Sequence, residues 1–171
     1  EISGDKNYES LRYEGFGPFN TALIIETLTD NKNRSASSIR TILQKNGGRL
    51  GETGSTTHMF NNYGVIHLQK NKINEEDALE IAINSGAKDC YLVNDYHEIL
   101  TEKEDFYKVK SEFEKMLDNF VYSGIEWRPL NYLILNKKEQ NEKIIEVLET
   151  LDELDDVQNI YINVKLKEAK K

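Results

Sequence analysis

A chain of 171 residues is long enough for one large or two small domains with a real core. Its 38% hydrophobic and 30% charged residues describe a soluble globular protein of net charge −8, and no apolar run approaches the roughly 18 residues of a membrane span. Cys90 is the only cysteine, which excludes an intramolecular disulfide and fits a reducing compartment.

In chain order, the Gly15-Phe16-Gly17-Pro18 stretch reads as a turn, and Thr21 to Leu28 as a buried strand carrying Ala22, Leu23, Ile24 and Ile25. Asn31 to Asn33 break that run and cap a helix over 35–45, whose inner side is Ala36, Ile39, Ile42 and Leu43. Lys45 suits its negative dipole end, and Gly47 is placed to terminate it. Ser55 to Phe60 and Val65 to Gln69 read as strands joined by the polar turn Asn61-Asn62-Tyr63-Gly64. A second helix follows Asn74, with Asp77 as a capping partner, and ends at Gly86. Lys88 to Val93 and Tyr96 to Leu100 form a hairpin around Asn94-Asp95. Thr101 and Glu104 make a capping box for a helix with the stripe Phe106, Val109, Phe113, Met116 and Leu117. Strand-like sequence runs from Phe120 to Trp127, stopped by Pro129, and resumes from Leu130 to Leu135. Asn136 with Glu139 starts the last helix, lined by Ile144, Leu148 and Leu151. The final strand places Ile160, Ile162 and Val164 on one side.

This order parses as one βαββαβ unit inside another: an α+β fold of two ferredoxin-like split βαβ domains. The outer unit uses strands 21–28, 55–60, 130–135 and 157–164 with helices 35–45 and 138–153. The discontinuous outer domain spans 1–62 and 129–171, and the inserted domain spans 63–128.

From Asn31 to Leu50 the chain carries Lys32, Arg34, Arg40, Lys45 and Arg49 with no acidic residue. On an acidic protein such a strip points to an anionic partner at one face, and these five residues are the candidate nucleic-acid contacts. The bland alternative is an ordinary solvated helix face. The loop holding Gly47, Gly48, Gly51 and Gly54 is not a P-loop. It follows a helix rather than a strand and lacks the Gly-Lys-Ser/Thr ending, so its glycines read as a tight connection with partner contact.

Other chemistries find little support. His58, His67 and His97 are spread over separate strands without metal-ligand spacing, so no metal site is assigned. A Cys90–His97 pair across the hairpin would make a nucleophile, but a structural thiol is the default. Acidic clusters at Glu75-Glu76-Asp77 and Glu102-Glu104-Asp105 sit at helix starts, where carboxylates cap amides, and the Asp152–Asp156 cluster reads as a solvated acidic end. No cofactor, small-molecule substrate or membrane partner is expected.

Several segments in the same order resemble the YebC family, described as bacterial transcriptional regulators and including the mitochondrial translational activator of cytochrome c oxidase subunit I. They are Tyr13 to Pro18, Leu28-Thr29-Asp30-Asn31-Lys32-Asn33-Arg34, Gly47 to Phe60, and Leu154-Asp155-Asp156-Val157-Gln158-Asn159-Ile160-Tyr161. The resemblance implies two α/β domains, one inserted in the other, and no enzymatic activity. It also implies a nucleic-acid-binding regulator whose first reading is DNA-binding transcriptional control. The alternative is a ribosome-associated translational activator that eases synthesis of proline-rich peptides, with ribosomal RNA as the target. A protein-interaction module using the acidic helix is a third reading. The expected compartment is the cytoplasm, or else the mitochondrial matrix. Two departures stand out. Phe19 and Asn20 occupy the turn where the family places glycine, and the family's lysine- and arginine-rich N-terminal helical domain has no counterpart, so the chain reads as a fragment or processed form.

Overall fold

The computed structural model describes residues 7–166. In chain order the elements are β1 (Glu9–Phe16), β2 (Ala22–Thr29), α1 (Lys32–Lys45), β3 (Arg49–Leu50), β4 (Phe60–Gln69) and α2 (Glu75–Ser85). They continue with β5 (Asp89–Val93), β6 (Tyr96–Glu102), α3 (Phe106–Glu114), β7 (Tyr122–Pro129), α4 (Lys138–Asp152) and β8 (Val157–Ile162). The chain divides after Asn61 and after Trp127 into two compact units, the first built from both flanks and the second from the middle. Residues 1–6 and 167–171, the ends of the expected outer domain, lie outside the described residues.

The flanking unit is a four-stranded sheet in the order β3-β1-β2-β8, in which β1–β3, β1–β2 and β2–β8 are antiparallel. Register sets Tyr13 against Ile25 and Gly15 against Leu23, and β8 sets Ile160 against Ile25 and Ile162 against Leu23. With a side-chain period of two, these residues share one face. Leu23 and Ile25 of that face pack with Ile39 and Leu43 of α1 and with Val147 and Leu151 of α4 in a single buried cluster. Apolar positions at i and i+4 on each helix supply that seam.

The middle unit is βαββαβ with strand order β5-β6-β4-β7, the split βαβ arrangement. Its core joins Ile66 and Leu68 of β4, Ile99 of β6, Ala78 and Ala82 of α2, and Val109 and Phe113 of α3. The α2 signals behave as expected: the Asn74 side chain accepts from the Asp77 N–H at 2.8 Å, and Gly86 ends the helix at φ 95°.

The α+β class with two four-stranded sheets agrees with expectation, but several elements do not. Glu9–Phe16, for which no strand was expected, pairs with β2 over its whole length, and the expected Gly15–Pro18 turn begins at Gly17 instead. Ser55 to Phe60 is not a strand. The amides of Gly54, Thr56 and Thr57 are drawn onto the Glu14 carboxylate, which removes them from any ladder, and residues 57–59 form a 3-10 turn. Asn61 to Gly64 is part of β4, where Gly64 allows close approach: a Cβ there would lie 2.2 Å from Thr101 Oγ1. Leu130 to Leu135 makes only an isolated parallel bridge, Leu133 with Val164, since β8 ends at Ile162 and offers just its tail. Thr101 forms no capping box. Its hydroxyl donates to the Glu102 carbonyl, and a 3-10 turn intervenes before α3. The cap of α4 is Lys137 with Gln140, not Asn136 with Glu139.

Candidate nucleic-acid interface

The basic residues are all exposed and all come from α1 and β3. Asn31 caps α1 by accepting the Arg34 N–H at 3.1 Å, which fixes where the helix begins and hence which way its side chains point. Burial of Ser35, Ile39 and Leu43 turns Arg34 and Lys45 to the solvent side, with Arg40 beside the apolar seam. Arg49 stands on the edge strand opposite Phe16, its guanidinium carbon 4.4 Å from that ring's centroid.

The strip is not electrically uniform. At its N-terminal end the Arg34 guanidinium donates to Asp30 at 2.8 Å and to Asp156 at 2.9 Å. Asp156 also accepts from the Ser35 hydroxyl at 2.6 Å and the Thr29 hydroxyl at 3.0 Å. Burial works to raise the Asp156 pKa, but the hydrogen bonds from Ser35, Arg34 and Thr29 outweigh it and hold the carboxyl below its usual range. A 660 Å³ depression here is lined by Asp30, Glu153, Asp155 and Asp156 around Arg34. That end suits a phosphate poorly. In the sequence Arg34 and the Asp155-Asp156 pair stand more than a hundred residues apart. Only the register of β2 with β8 brings them together, and nothing local in the sequence signals it.

The other end differs. Arg40, Lys45 and Arg49, like Lys32 at the first turn, have no carboxylate partner among the described residues. Gly47 (φ 80°) ends α1, and Gly48 returns its N–H to the Leu43 carbonyl at 2.8 Å. A Cβ on Gly48 would lie 1.9 Å from the Phe16 carbonyl oxygen, so glycine is what lets the linker lie against the end of β1.

Beyond β3 the glycine loop folds back rather than projecting. The Gly51 N–H donates to the Glu14 carbonyl at 2.8 Å. The Glu14 side chain, 2% exposed as a residue, then accepts from the amides of Gly54 (2.8 Å), Thr56 (2.9 Å) and Thr57 (2.7 Å). Burial alone would raise the Glu14 pKa, but these amides lower it to about 2. Of the four loop glycines, Gly47 and Gly48 border the basic end, and Gly51 and Gly54 belong to this pinned segment. An acidic residue on a strand ordinarily faces solvent, so nothing local marks Glu14 as an internal anchor.

The histidines are satisfied locally. His58 Nδ1 lies 3.2 Å from the Gly54 carbonyl, His97 Nε2 lies 2.8 Å from the Ile73 carbonyl, and His67 Nε2 lies 2.9 Å from Glu98 Oε1. Cys90 stands opposite Ile99 and His97 opposite Leu92, so register does not make them direct partners. Burial pushes the Cys90 thiol pKa up, away from a nucleophile. Among the described residues no group of three His, Cys, Asp or Glu side chains is placed to hold a metal.

Residues 8–164 match the family model described as the second and third domain of TACO1/YebC proteins. A probable transcriptional regulatory protein of Pelagibacter ubique is 46% identical over 166 residues, 97% of this chain and 68% of its own length. One from Rickettsia rickettsii is 42% identical over 168 residues, covering 98% of this chain and 66% of its own. The crystal structure of a conserved hypothetical protein, Aq1575 from Aquifex aeolicus, superposes with a TM-score of 0.84 at 35% identity, covering 99% of this chain and 69% of that one. The chain thus spans about two thirds of the length of these relatives.

Proposed function

Because the chain belongs to the TACO1/YebC family, we propose that it is part of a non-enzymatic, nucleic-acid-binding regulator of gene expression, first as a DNA-binding transcriptional regulator. The observation that carries this reading is the C-terminal end of the basic strip, where Arg40, Lys45 and Arg49 stand exposed without carboxylate partners among the described residues. Cations so placed on a protein of net charge −8 form a local positive field that attracts phosphates. Phosphate contacts give affinity that is largely independent of sequence and sensitive to salt. The names of the relatives support transcription as the process, and the cytoplasm is the compartment proposed with it.

A second reading is a ribosome-associated activator of translation. It is favoured by α1 itself, which offers Ser37, Arg40, Thr41 and Lys45 toward solvent and buries Ile39 and Leu43 against the sheet. Such a face contacts backbone and shape more readily than base edges, as recognition of folded RNA does. Sequencing the nucleic acid that crosslinks to the protein in cells tests both. Promoter-proximal DNA with matching transcript changes supports transcription. Ribosomal RNA with altered pausing at particular codon runs supports translation, and absence of any enriched nucleic acid contradicts both.

A further inference from the structure

The turn between β1 and β2 presents a phenylalanine in a backbone conformation that L side chains rarely adopt. Phe19 has φ 63° and ψ 26°, and Asn20 follows at φ 60°, so two successive non-glycine residues occupy the left-handed region. Asparagine tolerates that region, whereas phenylalanine has no local hydrogen bond to offset it. The rest of the turn is tied down. Gly17 donates its N–H to the Thr21 carbonyl at 2.9 Å, the Thr21 hydroxyl donates to the Pro18 carbonyl at 2.9 Å, and Pro18 and Thr21 are buried. Phe19 nevertheless remains 45% exposed, and among the described residues no ring or cation stacks on it.

The surroundings say what such a ring can meet. The turn leaves β1 directly after Phe16, whose ring carries the Arg49 guanidinium, and Gly48 lies against Phe16 and Gly17. Lys45 and Arg49 flank the Gly47-Gly48 linker, so the exposed ring and these two cations, which have no carboxylate partner among the described residues, share one end of the sheet. Glu52 is the first acidic residue after this stretch. An exposed aromatic held rigidly beside Arg and Lys suits a π-face with a phosphate attached. A base stacked within a duplex hides its faces, whereas an unpaired base offers one.

Resting on the nucleic-acid reading above, we infer that the β1–β2 turn is a base-stacking site for single-stranded nucleic acid, with Phe19 against the base and Arg49 and Lys45 on the flanking phosphates. The test is binding of fluorescent 12-nucleotide single strands, RNA and DNA of the same sequence, beside the matching duplexes. Phe19→Gly keeps the left-handed turn without strain, so its thermal stability should match or exceed that of the original protein. Its affinity for single strands should fall about tenfold, the weight of one base–aromatic stack, with little change for duplex. Phe19→Trp should keep the affinity, and Arg49→Ala should weaken single strands and duplex alike. Whichever of the RNA and DNA arms shows the larger Phe19 effect names the natural strand. If the original protein binds single strands and Phe19→Gly binds them equally well, the stacking site is overturned and the wider reading stands. If the original protein binds none of the four probes, both fall.

Discussion

Glu14 shows how one side chain decides the conformation of a segment forty residues away. Three backbone N–H groups and the Thr56 hydroxyl converge on its buried carboxylate, and the Thr56 hydroxyl also reaches the Leu23 carbonyl at 2.9 Å. A carboxylate held near pKa 2 in the folded chain binds fewer protons than in the unfolded chain between about pH 5 and pH 2. Its stabilisation is therefore complete at neutral pH and is lost as pH falls through that window. The shift corresponds to roughly 3 kcal/mol. Replacing it with glutamine leaves an amide facing backbone donors, and Glu14→Gln should cost about 2–3 kcal/mol at pH 7. Denaturant unfolding at pH 7 and pH 3 checks this, with the gap between the two proteins narrowing at the lower pH. Asp156 is the matching case at the other end of the sheet. Asp156→Ala strands the Thr29 and Ser35 hydroxyls and releases Arg34, so it should lower stability by about 1–3 kcal/mol in the same assay. Arg34 is thereby paired with Asp30 and Asp156 in the folded chain.

At the scale of elements, α1 has two faces with separable roles. Its inner face closes the core, and truncating Leu43, which is fully buried, should cost about 2–5 kcal/mol through lost contacts and a cavity. Its outer face tolerates change: Arg40→Glu with Lys45→Glu should leave the melting temperature nearly unaltered while weakening nucleic-acid binding. Calorimetry and a binding titration on both variants separate the roles. The helices were the legible part of the sequence, because the 3.6-residue stripe of Ile39 and Leu43, or of Phe106, Val109 and Phe113, records burial directly. Strands were harder wherever a non-local partner sets the outcome. β1 carries Gly15 on its core face where alternation would put an apolar side chain, so its period is masked. Leu130 to Leu135 has the opposite character: an apolar run that looks like a strand, yet Ile134 is 76% exposed because β8 is too short to pair with it. The candidate site was legible as a run of cations, but not as two electrically different ends, since Asp156 lies more than a hundred residues from Arg34.

For the whole molecule, charge is the governing quantity. A net charge of −8 repels nucleic acid at long range, so binding through a few cations on one end must be short-ranged and easily screened. Affinity should fall steeply between low and physiological salt, with a slope that reports how many phosphates are engaged. The most direct measurement is that salt titration on three proteins: the original, Arg40→Glu with Lys45→Glu, and a control of equal charge change, Lys72→Glu with Lys103→Glu, exposed positions in the other unit. If the C-terminal end of the strip is the interface, the first pair flattens the slope by about 1–2 and weakens binding, whereas the control behaves nearly as the original. Equal loss in both pairs, or none in the first, would contradict an interface at Arg40, Lys45 and Arg49.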